Sequence, residues 1–148
     1  MTNMIKKEII GYCAVDSGQI LLTDPCYLKD WINDEFQDIR RYKDRDGKIH
    51  QFRVDFENYE SKIGDKTVNQ LINNKEWERI ENVKSSDYSY NGACSMTLSK
   101  KGGGELEFHT GFSSAGVVIS TAHGDGVYPV SVKRDKDGKI LSATIDFS

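Results

Sequence analysis

The sequence predicts one α+β domain spanning residues 1–148, rich in β: an antiparallel sheet or sandwich of roughly seven to nine strands with one or two short helices packed on it. Three observations carry that expectation. Short β-branched and apolar runs follow one another along the 148 residues, separated by glycine, proline and aspartate turn signals. An Asp-Gly pair flanked by strand formers, a strong short-range hairpin signal, occurs at both Asp46-Gly47 and Asp137-Gly138. Few stretches space their apolar residues for a helix, so helices should be short.

Taken in order, Ile9 to Val15 and Gln19 to Thr23 are strand-like runs joined by Asp16-Ser17-Gly18, which predicts an N-terminal hairpin. Asp24-Pro25 ends the second strand, because proline lacks a donor and restricts the residue before it. Leu28, Trp31, Ile32 and Phe36 then have the spacing of a short amphipathic helix. Residues 43–56 and 134–147 agree at seven of fourteen positions, each with a turn at its Asp-Gly pair and a strand behind it. Reuse of one good turn accounts for this more simply than duplication does. Thr67 is placed to cap a helix, or two short ones, through Val68, Leu71, Ile72, Trp77 and Ile80, with Asn73-Asn74 as the weak point. Ser85 to Gly92 reads as a loop, Ala93 to Ser99 as a strand, and Glu105 to Thr110 as its hairpin partner across Lys100-Lys101-Gly102-Gly103-Gly104. Gly116 to Thr121, Val127 to Lys133 and Lys139 to Phe147 complete a strand-rich C-terminal half.

Composition excludes several classes. Twenty basic residues against 23 acidic ones give a formal charge of −3, and no stretch concentrates lysine and arginine, so duplex nucleic acid is not an expected partner. The apolar runs are too short for a membrane-crossing helix, and the stretch Met1 to Glu8 lacks the pattern of a secretory leader, so a cytoplasmic protein is expected. Cys13, Cys26 and Cys94 are odd in number and lack C-x-x-C spacing, which argues for reduced, buried packing thiols. His50, His109 and His123 show no paired-ligand spacing, and the D-x-D-G pattern lacks the remainder of a calcium loop; neither a metal nor a cofactor is expected.

The most deliberate local contexts belong to two acids. Asp125 lies between glycines in His123-Gly124-Asp125-Gly126-Val127-Tyr128-Pro129-Val130, and Asp24 opens Asp24-Pro25-Cys26-Tyr27. Each sits where a strand meets a turn, and each has a simple structural reading, in which the carboxylate accepts hydrogen bonds from its own turn. The functional reading is a ligand site: Asp24 and Asp125 accept hydrogen bonds, Tyr27 and Tyr128 supply aromatic surface, and His123 or Lys101 meets an anionic part. The alternatives are a small hydrolase using Asp24 and Asp125 with Cys26 or His123, and a protein-interaction accessory factor.

Ser17-Gly18, Asp24-Pro25-Cys26-Tyr27, Gly124-Asp125-Gly126-Val127-Tyr128-Pro129-Val130 and Asp137-Gly138 through Asp146-Phe147, taken together, resemble the family called domain of unknown function 4241 and its short phage relatives. The resemblance runs from about residue 12 to the C-terminus and supplies no mechanism. The leading reading of the residues is a small non-catalytic binding protein; the resemblance implies, by analogy, a bacterial or phage protein that sequesters a nucleotide-like ligand to counter host defence.

Overall fold

The computed structural model describes residues 6–80 and 84–148. Residues 1–5, part of the stretch read for a leader, lie outside the described residues. The chain is β-rich with several antiparallel sheets and short helices, as the sequence predicts. In chain order it forms β1 (Lys7–Val15), β2 (Gln19–Thr23), a 3-10 helix (Pro25–Asp30), β3 (Arg41–Lys43), β4 (Ile49–Gln51), β5 (Lys62–Ile63), β6 (Lys66–Thr67) and α1 (Val68–Asn73). There follow β7 (Glu78–Ile80), α2 (Tyr90–Thr97), β8 (Gly103–Leu106), β9 (Gly116–Ser120), β10 (Gly126–Arg134) and β11 (Ile140–Ile145). No described helix is long and apolar enough to cross a membrane. The contacts group into two compact units, Met1–Asp34 with Ser85–Ser148, and Glu35–Lys84.

In the first unit, the expected β1–β2 hairpin does not form. β1 pairs antiparallel with β10, and β2 with β9. Each strand finds its apolar match far along the chain, with Ile20 across from Ile119 and Leu21 across from Val118. Asp16-Ser17-Gly18 is therefore a corner in one bent strand, facing a second corner at residues 121–125 between β9 and β10. The Thr121 amide donates to the Gly18 carbonyl at 2.9 Å and ties the corners together. Gly18 (φ 69°) and Gly124 (φ 72°) adopt the left-handed backbone such sharp bends need, where a side chain is disfavoured. Two three-stranded sheets result, ordered β1-β10-β11 and β2-β9-β8.

The stretch Ala93 to Ser99, expected as a strand, lies mostly within α2. The Ser89 hydroxyl accepts from the Gly92 amide at 3.0 Å and caps the helix N-terminus. β8 consequently has no hairpin partner in that segment and pairs with β9 instead. The amphipathic helix expected over residues 28–36 is replaced by the 3-10 turn, which begins at Pro25 under an Asp24 cap and stops before Trp31. Beyond it, Ile32 bridges to Ser89, so the segments that leave and re-enter this unit are joined. The core is Tyr88, Ala93, Leu106, Ala115 and Val118, with Leu21, Trp31, Met96 and Phe108 packed around it.

In the second unit, the helix starting at Thr67 forms with a full capping box: the Thr67 hydroxyl accepts from the Gln70 amide and the Gln70 side chain accepts from the Thr67 amide. It ends at Asn73, with Asn74 as its C-cap, and does not reach Ile80. The amides of Glu76 and Trp77 turn back onto the Leu71 carbonyl, burying Trp77 with Tyr42, Phe56, Val68 and Leu71, and β7 follows as a strand.

Both Asp-Gly hairpins form, and their turns are the same device. Asp44 Oδ1 accepts from the amides of Asp46 and Lys48, and Asp135 Oδ1 from those of Asp137 and Lys139. The strands behind them differ, since β4 stops at Gln51 while β11 runs from Ile140 to Ile145. The likeness between residues 43–56 and 134–147 is thus strongest in the turn.

Candidate functional site

Asp24 and Asp125 stand at opposite ends of the β2–β9 pair. Asp24 follows Thr23, which faces Gly116, whereas Asp125 belongs to the corner at the Gln19–Ser120 end. The five residues of β2 lie between them, about 17 Å of extended chain. Asp24 Oδ1 accepts from the Cys26 amide at 2.9 Å, the structural reading foreseen for it. Asp125 is exposed, with no hydrogen bond or ion pair among the described residues.

The other candidates divide in the same way. Tyr27 lies at the Asp24 end, edge-on to Phe108 with ring centroids 4.9 Å apart. His109 is there too, its Nε2 donating to the Asp30 carbonyl at 2.9 Å. Cys26 is exposed at this end, and His123 is exposed at the other. Lys101 is exposed beside Gly102, whose carbonyl accepts from the Ser120 amide at 2.7 Å, so it belongs to the corner end with His123 and Asp125.

Tyr128 is buried and is not an open stacking surface. Its hydroxyl donates to the Gly124 carbonyl at 2.7 Å, the Thr121 hydroxyl donates to the same oxygen at 2.6 Å, and its ring packs edge-on to Phe147. The Gly-Asp-Gly turn is shaped from within by these two hydroxyls. Replacing Tyr128 with phenylalanine should cost about 1 kcal/mol and leave the ring's packing intact. Faster amide exchange at residues 122–126, with little change in β11, is the expected signature.

The cysteines also differ from expectation. All three are free thiols, but Cys13 and Cys26 are exposed and only Cys94 is partly buried. Among the described residues no group of three or more His, Cys, Asp or Glu side chains is placed to hold a metal.

Two features escaped the sequence reading. The first is a histidine–aspartate pair in the second unit: His50 Nε2 lies 2.8 Å from Asp44 Oδ2, and the imidazole stacks on Trp77 with centroids 4.1 Å apart. The His50 hydrogen bond, then the Lys48 amide, holds the Asp44 carboxyl below its ordinary range. A depressed folded value means that the contribution of Asp44 is complete above about pH 4 and is lost as pH falls through that lower value. Acid should therefore weaken the second unit below pH 4, and Asp44→Asn should flatten that loss, read from Trp77 fluorescence in a Trp31→Phe background. Nearby, a cavity of about 270 Å³ is lined by Lys43, Asp44, Arg45, Lys75, Glu76 and Glu78, and another of about 470 Å³ by Asp65, Lys66, Gln70, Asn73 and Asn74. Both are lined by polar or charged residues.

The second feature is an apolar sheet face. Facing residues of an antiparallel pair share a side, and side chains alternate along a strand. The register Ile9↔Ser131, Tyr12↔Pro129 and Ala14↔Val127 therefore puts Ile9, Tyr12, Ala14, Val127 and Pro129 on one side of β1 and β10. Ser131, facing Ile9, is buried on this same side, while the opposite side carries buried Tyr128 and Val132 together with exposed Cys13. On the first side Ile9 is 55%, Tyr12 66% and Val127 65% exposed. The facing pair Lys7 and Lys133 stands at one end of this patch.

Compared with known families, curated proteins and solved structures, the chain finds no match.

Proposed function

We propose that this chain is a non-catalytic binding protein that docks a protein partner through the Ile9–Tyr12–Val127 face of its terminal sheet. The observation that carries this reading is the exposure of three large apolar side chains, each more than half open, on one side of two paired strands. The occupant that fits has an apolar centre and a carboxylate rim, because Lys7 and Lys133 border the patch at one end.

A photo-crosslinking residue at position 12 tests it, with one at exposed Val54 in the second unit as control. The expected result is an adduct specific to position 12 that disappears in Val127→Asp and weakens in the Lys7→Glu, Lys133→Glu double variant. Adducts indifferent to both changes would overturn it, as would turnover of a substrate by substoichiometric protein that Asp125→Asn abolishes.

A second reading keeps a nucleotide-like anion as ligand. It is favoured by the exposed positions of His123 and Lys101 at one end of the β2-β9-β8 sheet. A stoichiometric nucleotide released intact on denaturation, and lost in a Lys101→Ala, His123→Ala variant, would support this second reading over the first.

A further inference from the structure

Neither hydrophobic core described above includes a residue of β1, β10 or β11. A sheet buries its apolar face against another layer, and here the side that holds Ile9, Tyr12 and Val127 is left open.

The register arranges that side in levels, each a facing pair. In order along the ladder they are Lys7 with Lys133, Ile9 with Ser131, Tyr12 with Pro129, and Ala14 with Val127. The register shift between Ile9 and Gly11 lies on β1, and β10 runs through it unbroken, so the levels stay in step. Alternation carries both rows on to Asp16 and Asp125, at the corners that end the ladder. Lys7, Lys133, Asp16 and Asp125 are all exposed. Among the described residues Lys133, Asp16 and Asp125 have no hydrogen bond or ion pair. Glu8 faces Val132 on the opposite side, where Arg134 holds it at 3.0 Å. Asp146 lies near Lys7, but its Oδ1 accepts from the amide and the hydroxyl of Ser148.

The face is therefore cationic at one end, apolar through the middle and acidic at the other, with the Tyr12–Pro129 level at its midpoint. We infer that its partner is a second copy of this chain, laid face to face about a two-fold axis that crosses the strands at that level. Such an axis reverses the strand direction between copies. It returns Tyr12 and Pro129 to their own images, sets Ile9 over Ala14 and Val127 of the second copy, and brings each pair of lysines onto the other copy's aspartates. An axis along the strands would stack lysine on lysine and aspartate on aspartate, so charge selects the first arrangement. Self-complementarity of this kind is what a two-fold interface requires of a single surface.

Five levels span about 27 Å along the strands, and three strands with their margins about 15 Å across, roughly 400 Å² per copy. That is about half of the roughly 800 Å² per partner of a standard interface, so the dimer belongs to the weak, transient class, with a micromolar dissociation constant. The inference rests on the docking reading above and names its occupant.

Sedimentation velocity on the full chain, from about 1 to about 500 µM to bracket weak pairing, should show a concentration-dependent dimer that Val127→Asp abolishes. Two charge-reversed chains identify the partner. Lys7→Glu with Lys133→Glu leaves both ends acidic, and Asp16→Lys with Asp125→Lys leaves both basic, so each alone should dimerise at least about tenfold more weakly. Mixed in equal amounts, the two should form a heterodimer about as tight as the native dimer, because every end then meets its opposite. That recovery would also show that both variants fold. A dimer that neither reversal weakens, or reversals that the mixture does not restore, overturns the proposal. A chain monomeric throughout the range overturns it as well. In that case an adduct from position 12 to a different protein would leave the docking reading standing, and the lack of any such adduct would remove both.

Discussion

Replacing Gly92 with alanine should destabilise the first unit by about 3 kcal/mol or more, reversing the usual gain of up to about 1 kcal/mol for this change inside a helix. A Cβ at Gly92 would fall far inside contact distance of the Asp87 carbonyl oxygen, and only 2.9–3.0 Å from the Asp87 carbonyl carbon and amide nitrogen. The obstructing backbone has little freedom to withdraw. The Tyr88 amide donates to the Glu107 carbonyl, the Glu107 amide donates to the Ser86 carbonyl, and the Ser89 amide folds onto the Asp87 carbonyl. The capping bond to the Ser89 hydroxyl also comes from the displaced residue. Urea unfolding followed by Trp31 fluorescence in a Trp77→Phe background reads the loss, and an unchanged midpoint would refute this account of the helix start.

Tyr88 should give the next largest effect. It is fully buried, packs edge-on to Trp31 with centroids 5.1 Å apart, and lies 6.3 Å from Phe108 by the same measure. Thr23 Oγ1 donates its single proton to the Ala115 carbonyl, so the contact of 2.9 Å between Tyr88 Oη and Thr23 Oγ1 is donated by the tyrosine. Tyr88→Ala removes both ring and donor and should cost about 3–5 kcal/mol. Tyr88→Phe keeps the ring and leaves Thr23 without its donor, for about 1–2 kcal/mol. Equal losses in the two variants would mean that the hydroxyl, not the packing, dominates.

Turn and cap signals are local. The Asp-Gly turns, the strand end at Asp24-Pro25 and the Thr67 cap each depend on a few neighbouring residues, and each forms where the sequence places it. Partner choice is not a local property. Asp16-Ser17-Gly18 has the composition of a hairpin loop, and only the competing apolar strands some hundred positions away make it a corner. α2 was obscured by its composition, Tyr-Asn-Gly-Ala-Cys-Ser-Met-Thr, with a glycine in its first turn where a capping box would have glutamate or glutamine. The separation of Asp24 from Asp125 was not legible for the same reason as the hairpin, because it follows from which strands pair. The His50–Asp44 contact had a usable signal: once the Asp46-Gly47 turn is accepted, residues 44 and 50 flank it at close range.

The pairing of β1 with β10 also sets an order of events in time. Lys7 faces Lys133 and Val15 faces Gly126, so β1 has no strand partner until β10 has been made. The hairpin β3–β4, the β5–β6 pair and α1 need only near neighbours. On a ribosome adding about 5–20 residues per second, the N-terminal strand waits several seconds with its apolar residues uncovered. β10 thus closes a strand made more than a hundred residues before it, and contacts of such high sequence separation mark the first unit as the slow-folding part of the protein.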